Sequence, residues 1–166
     1  EGHHIDNNII INHHSPNCMS SQNFRSILKD RSSGVYNGRT IVKRAAQKTN
    51  SSQSNKNILL SDTAKMNSNP QLEIYADDVK CSHGSTTGKL NKDAIFYLRS
   101  RGLDLKSARE LLLNGFVNDI IEQVKNKDIK YMLCLLYTYD SADDRMSEDL
   151  GGRRIIKKKL WVGGGG

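Results

Sequence analysis

Residues 70–103 read PQLEIYADDVKCSHGSTTGKLNKDAIFYLRSRGL, and the texture of the chain changes in the middle of this stretch. Leu72 to Tyr75 and Val79 to His83 are short runs with β-favouring side chains, set off by Asp77-Asp78, and read as strands. From Asn91 the spacing is helical. Ile95, Tyr97 and Leu98 stand at helical spacing, and Gly102 is placed to end that helix in a left-handed conformation. Asp104 then suits the cap of a second helix. Its apolar positions Ala108, Leu111, Leu112, Gly115, Phe116, Ile120, Ile121 and Val124 form a face running to about Lys127.

Upstream, the strand candidates are Ile9 to Ile11, Val35 to Val42 and Ile58 to Leu60. Between them Ser15-Pro16-Asn17, Asn37-Gly38, Thr49 to Asn57 and Asn67 to Pro70 are rich in turn formers and read as turns. Asn23 to Leu28 reads as a short helical or irregular excursion. The resulting division is a β part over 1–90, a helical part over 91–132, and a tail over 133–166 without sustained period. That tail reads as non-native or disordered sequence. Many short strands fit a sandwich, a barrel or a β-helix, and periodicity alone does not choose.

No apolar run approaches the roughly 20 residues that span a bilayer, and the opening residues lack a signal peptide's regions, so a soluble intracellular protein is expected. Cys18, Cys81 and Cys134 are too few and too widely spaced for a secreted disulfide framework. Of the net charge of +7, residues 1–60 carry +5, with eight Lys or Arg against three acids. These charges are scattered among Asn and Ser with few aromatics and match no nucleic-acid-binding module, so a solvated basic surface is expected.

Gly84-Ser85-Thr86-Thr87-Gly88-Lys89-Leu90 imitates a phosphate-binding loop and fails twice. Three residues separate the glycines where four are needed, and Leu90 stands where a magnesium-binding Ser or Thr belongs. Cys81 and His83 carry more chemistry, because residues i and i+2 of a strand project from one face. A thiolate beside an imidazole can accept sulfur or bind soft and borderline metals, and a nearby Lys80 charge would favour the thiolate. Two ligands do not complete a metal site, so other groups must join them. His13, His14 and Cys18 form a second conceivable cluster and His3 with His4 a third, although adjacent strand histidines point to opposite faces.

Five ordered blocks give a family resemblance: HHSPNCMSSQNF at 13–24, GVYNGR at 34–39, AQKTNSSQSNKNILLSD at 46–62, PQLEIYADDVKCSHGSTTGKL at 70–90 and FYLRSRGL at 96–103. Together they cover roughly residues 1–132 and resemble the SufBD family of iron–sulfur assembly proteins. KCSHG, with Gly84 after the histidine, is more similar to the SufD-like branch than to the SufB-like one. Ala45 departs from the family pattern, standing where an acid is expected.

The resemblance implies a mainly β fold: part of a right-handed parallel β-helix, entered after its first coils, then a small C-terminal α-helical domain. It implies a non-catalytic scaffold that pairs with a SufB-like subunit and docks a SufC-like ATPase, in the cytoplasm or an organelle such as a plastid. A nascent iron–sulfur cluster would be shared with the partner, with no nucleotide bound directly. Cys81 and His83 would meet that cluster or its iron and sulfur. Phe96, Tyr97, Arg99, Arg101, Leu111 and Phe116 become candidate contacts for the ATPase. Two alternatives stand beside it. A carbohydrate-active β-helix enzyme using Asp77 and Asp78 is disfavoured because adjacent strand acids face opposite ways. A basic nucleic-acid binder would use the first third.

Overall fold

Ser51, Gln53, Asn55 and Asn57 alternate with exposed or half-buried neighbours, and all four are buried. A strand with a polar inner face is therefore the element to explain. The computed structural model describes residues 2–134. It contains β1 (His4–His13), β2 (Met19–Leu28), β3 (Ser33–Val42), β4 (Asn50–Leu59), β5 (Lys65–Ile74) and β6 (Lys80–Gly88). Two helices follow, α1 (Lys92–Ser100) and α2 (Leu105–Ile121). The chain lays its strands alternately in two sheets of order β1-β3-β5 and β2-β4-β6, every pairing parallel. His4 pairs with Ser33 and Ser33 with Lys65, while Met19 pairs with Asn50 and Asn50 with Lys80. Each circuit thus takes about 30 residues, as in a stacked repeat. The parallel pairing excludes an antiparallel sandwich, and the open strand orders exclude a closed barrel.

The inner faces of the two sheets meet through side chains, several of them polar. Tyr36 and Val42 are fully buried, and the Phe24 and Tyr36 rings lie 4.9 Å apart. Gln53 Nε2 donates to Tyr36 Oη (3.0 Å), Gln22 Nε2 to Thr40 Oγ1 (3.2 Å) and Ser68 Oγ to Asn55 Oδ1 (2.9 Å). Each such bond adds only about 0.5–1.5 kcal/mol net, but losing one partner strands the other without water. Gly38 makes the Tyr36–Gln53 contact possible. A Cβ there would collide with Gln53 Nε2 and stand 2.5 Å from Tyr36 Oη.

Polar side-chain ladders on both faces of the sheets explain where turn chemistry misleads. Asn23 to Leu28 lies within β2, Asn37-Gly38 within β3, Asn67 to Pro70 within β5, and Asn50 to Asn57 within β4. Asn, Ser and Gln signal turns because their side chains compete for backbone partners. Here those side chains bond to one another across and along the sheets instead. Pro70 is tolerated because β5 is an edge strand, where a missing N–H leaves no second neighbour unpaired. The sharp corners fall at Asn17 (φ 59), Asp30 (φ 56) and Lys48 (φ 60), in the left-handed region. Successive corners stack, the Asn17 N–H donating to Gln47 O (2.9 Å).

The helices begin where the spacing changes. Asn91 Oδ1 accepts from the N–H groups of Asp93 (2.8 Å) and Ala94 (3.1 Å), capping α1, and Gly102 follows with φ 95. Asp104 Oδ1 accepts from the Ser107 N–H (2.7 Å) and caps α2. The second helix stops at Ile121, short of the expected Lys127. A tight turn binds the Val124 N–H to Ile121 O, and Asn126 caps a new helical stretch at 127–134. By backbone packing Glu1–Val117 form one compact unit and the chain from Asn118 a second. Residues 135–166, most of the expected tail, lie outside the described residues.

Gly38→Ala is expected to destabilise the chain by about 1–3 kcal/mol in urea denaturation, the range for overpacking a filled core. Gly84→Ala, where an added Cβ meets nothing within 4 Å, should change stability by less than about 0.5 kcal/mol.

Candidate functional site

β6 ends its sheet, so among the described residues it is paired on one side only, with β4. The register sets Cys81 beside Ser51, His83 beside Gln53, Ser85 beside Asn55 and Thr87 beside Asn57. Because the β4 residues of these pairs are buried, the matching β6 residues lie on the inward-directed face of the last rung. Cys81 and His83 therefore share a face, as their spacing requires. Their surroundings differ. Cys81 is half-buried against Val42, Ala46 and Ala76, whereas His83 is exposed.

Burial pushes the Cys81 thiol above its ordinary value, partly opposed by a hydrogen bond from the Ser51 backbone. Lys80, as the adjacent strand residue, projects from the opposite face. Cys81 is thus a protected, largely protonated thiol beside an accessible imidazole. Among the described residues, no group of three or more His, Cys, Asp or Glu is gathered to hold a metal ion. The pair offers at most two ligands, one soft and one borderline. The remaining ligands of any metal held here must come from elsewhere.

The other histidines do not converge. His13 turns inward and its Nε2 lies 2.9 Å from Ser20 Oγ, while His14 is exposed and the Cys18 thiol is directed to Pro16 O at 3.9 Å. His4 Nδ1 meets Ser33 Oγ at 2.7 Å. The loop-like Gly84 to Gly88 stretch lies inside β6, where extended backbone cannot wrap a phosphate. Lys89 pairs with Asp62, and that hydrogen bond holds the Asp62 carboxyl below the usual carboxylate range.

On α1, Phe96 is 75% and Tyr97 55% exposed, and the Arg101 guanidinium covers the Tyr97 ring at 4.9 Å. Phe96 and Arg99 line an open groove with Leu103 and Leu105. Leu111 is half exposed on α2, but Phe116 is half-buried beneath the Arg25 guanidinium at 4.8 Å. No helix among the described residues is long and apolar enough to cross a membrane. Sequence reasoning missed the inner polar ladder, above all Gln53 behind His83. The signal was available in the period-two run Ser51, Gln53, Asn55, Asn57.

Comparison with known proteins gives a consistent result. Residues 1–116 match the family model described as the SUF system FeS cluster assembly SufBD core domain. The chain is 43% identical over 116 residues to an iron–sulfur cluster assembly SufBD family protein of Synechocystis, covering 70% of this chain and 25% of that protein. It is 38% identical over 120 residues to the iron–sulfur cluster assembly protein SufD of Escherichia coli, covering 72% and 28%. It is 39% identical over 127 residues to the chloroplastic protein ABCI7 of Arabidopsis thaliana, covering 76% and 26%. The chain spans about a quarter of the length of these relatives.

The raised thiol gives a pH-dependent expectation. In peptide-resolved alkylation, the pH at which Cys81 becomes reactive should lie above that of the same thiol in the denatured chain. Equal midpoints in the two states would contradict the burial argument.

Proposed function

The chain belongs to the SufBD core-domain family of the SUF iron–sulfur cluster assembly system, and from that premise we propose that it is the part of a non-catalytic, SufD-like scaffold on which a nascent cluster is held. The observation that carries this reading is the juxtaposition of half-buried Cys81 and exposed His83 on one face of the terminal strand β6. An edge strand leaves backbone donors and acceptors for another chain, and incoming residues can complete a ligand set that two side chains begin. A SufB-like subunit is the proposed partner at this edge. In this reading the alternating parallel sheets are coils of a right-handed β-helix.

His83 supplies the exposed nitrogen ligand, and Cys81, shielded at rest, binds iron as the metal displaces its thiol proton, or takes the outer sulfur of a partner's persulfide, whose S–S bond breaks and whose inner sulfur departs as a thiolate. The α1 surface, with Phe96, Tyr97, Arg99 and Arg101 exposed, is the proposed dock for a SufC-like ATPase. Leu111 adds to it, while Phe116 offers less surface under Arg25. Nucleotide chemistry belongs to that partner, since the only phosphate-loop imitation in the sequence lies in a strand. The carbohydrate-enzyme reading gains nothing from Asp77 and Asp78, which are consecutive exposed residues in the segment before β6.

The test is co-purification of the corresponding full-length subunit with SufB-like and SufC-like partners, reading assembly, iron and sulfide. His83→Ala is expected to leave the complex assembled and to lower its iron and sulfide at least several-fold. Unchanged cluster content would return His83 to a structural role, and failure of the unsubstituted subunit to assemble would remove the scaffold reading.

A further inference from the structure

Gln53 is the residue directly beside His83 in the β4–β6 register, on the same inner face. It is only 2% exposed, and its amide is tied at one end: Nε2 donates to the fully buried Tyr36 Oη at 3.0 Å. Gly38 leaves the room in which this contact forms. The other end, Oε1, is buried without a hydrogen-bond partner. A buried carbonyl oxygen in that state is costly and normally finds a donor. Its in-register neighbour on the far side, Gln22, turns its amide nitrogen to Thr40 Oγ1 at 3.2 Å. His83, on the near side, carries a ring N–H in every protonation state, and in-register neighbours stand about 4.8 Å apart.

We propose that Gln53 is the positioning residue for His83, its Oε1 accepting a hydrogen bond from one ring nitrogen and so fixing the imidazole tautomer. The second ring nitrogen is then left with its lone pair free and directed away from the interior. This arrangement rests on the reading of His83 as a ligand, for which a ring nitrogen held by a carbonyl orients the ring and raises the basicity of the other nitrogen. Tyr36 acts one step further back, anchoring the Nε2 end of the Gln53 amide. The chain of contacts therefore runs from the core of the β1-β3-β5 sheet, through Gln53, to the exposed rung of the other.

The contact is tested without iron, on the chain labelled with ¹⁵N-histidine at a pH where imidazole is neutral. In the unsubstituted chain, His83 is expected to show one protonated and one unprotonated ring nitrogen at well-separated shifts. Gln53→Leu should lose that separation as the tautomers exchange, and Gln53→Glu, which keeps an acceptor, should restore it. Averaged nitrogens in the unsubstituted chain, or an unchanged fixed pattern in Gln53→Leu, would overturn the proposal. If Gln53→Leu does not fold, the exposed substitution His83→Ala serves instead. It should shift the Gln53 side-chain carbonyl ¹³C signal, and an unmoved signal would equally overturn the contact. A fixed tautomer combined with unchanged cluster content in His83→Ala would keep this contact and remove the ligand reading, so the two failures are distinguishable.

Discussion

In-register parallel stacking is the constraint from which the rest of this structure follows. A circuit of about 30 residues returns each strand to the place beside its predecessor two strands earlier, so inner residues face inner residues along whole columns. Ser20, Ser51 and Cys81 form one column, and Gln22, Gln53 and His83 another. Polar columns survive between two sheets only where their members bond to one another or across the interior. The contacts of His13 with Ser20, Ser20 with Ser51, and Gln53 with Tyr36 are of that kind. A one-residue slip would exchange this inner set for the outer one, so the polar ladder helps to specify register as well as to stabilise it.

The same constraint makes the site. A column continues inward polarity up to the last strand, and at β6 there is no further described strand to cover it. Cys81 retains cover from Val42, Ala46 and Ala76, but His83 emerges exposed. A half-buried thiol and an accessible imidazole on one face are thus the end of the interior pattern meeting solvent at a sheet edge. The edge that leaves backbone groups open to another chain is also the edge that presents the two ligand-type side chains.

Much of the fold class was legible in the sequence. The helical stretch was announced by the spacing of Ile95, Tyr97 and Leu98 and by the caps Asn91 and Asp104, because these are local effects. The pairing of Cys81 with His83 followed from strand geometry alone. The strands β2, β4 and β5 were partly read as turns or irregular chain, since Asn, Ser and Pro carry turn signals unless a polar interior or an edge position removes the conflict. The parallel stacking joins residues about 30 positions apart and the Gln53–Tyr36 contact joins residues 17 apart, and local periodicity holds no information on either. The family resemblance gave the expectation of parallel strands, though nothing on Gln53, and the core-domain family model matched over residues 1–116 is that of the same family.

The most direct test of the account is pulsed electron paramagnetic resonance on the reduced, cluster-loaded complex, assembled from the full-length subunit labelled with ¹⁵N-histidine and unlabelled partners. The account predicts a strongly coupled ¹⁵N nucleus from this subunit that disappears with His83→Ala. A cluster signal with no such coupling, or with one that survives the substitution, would contradict the assignment of His83 as the residue where this fold meets its cargo.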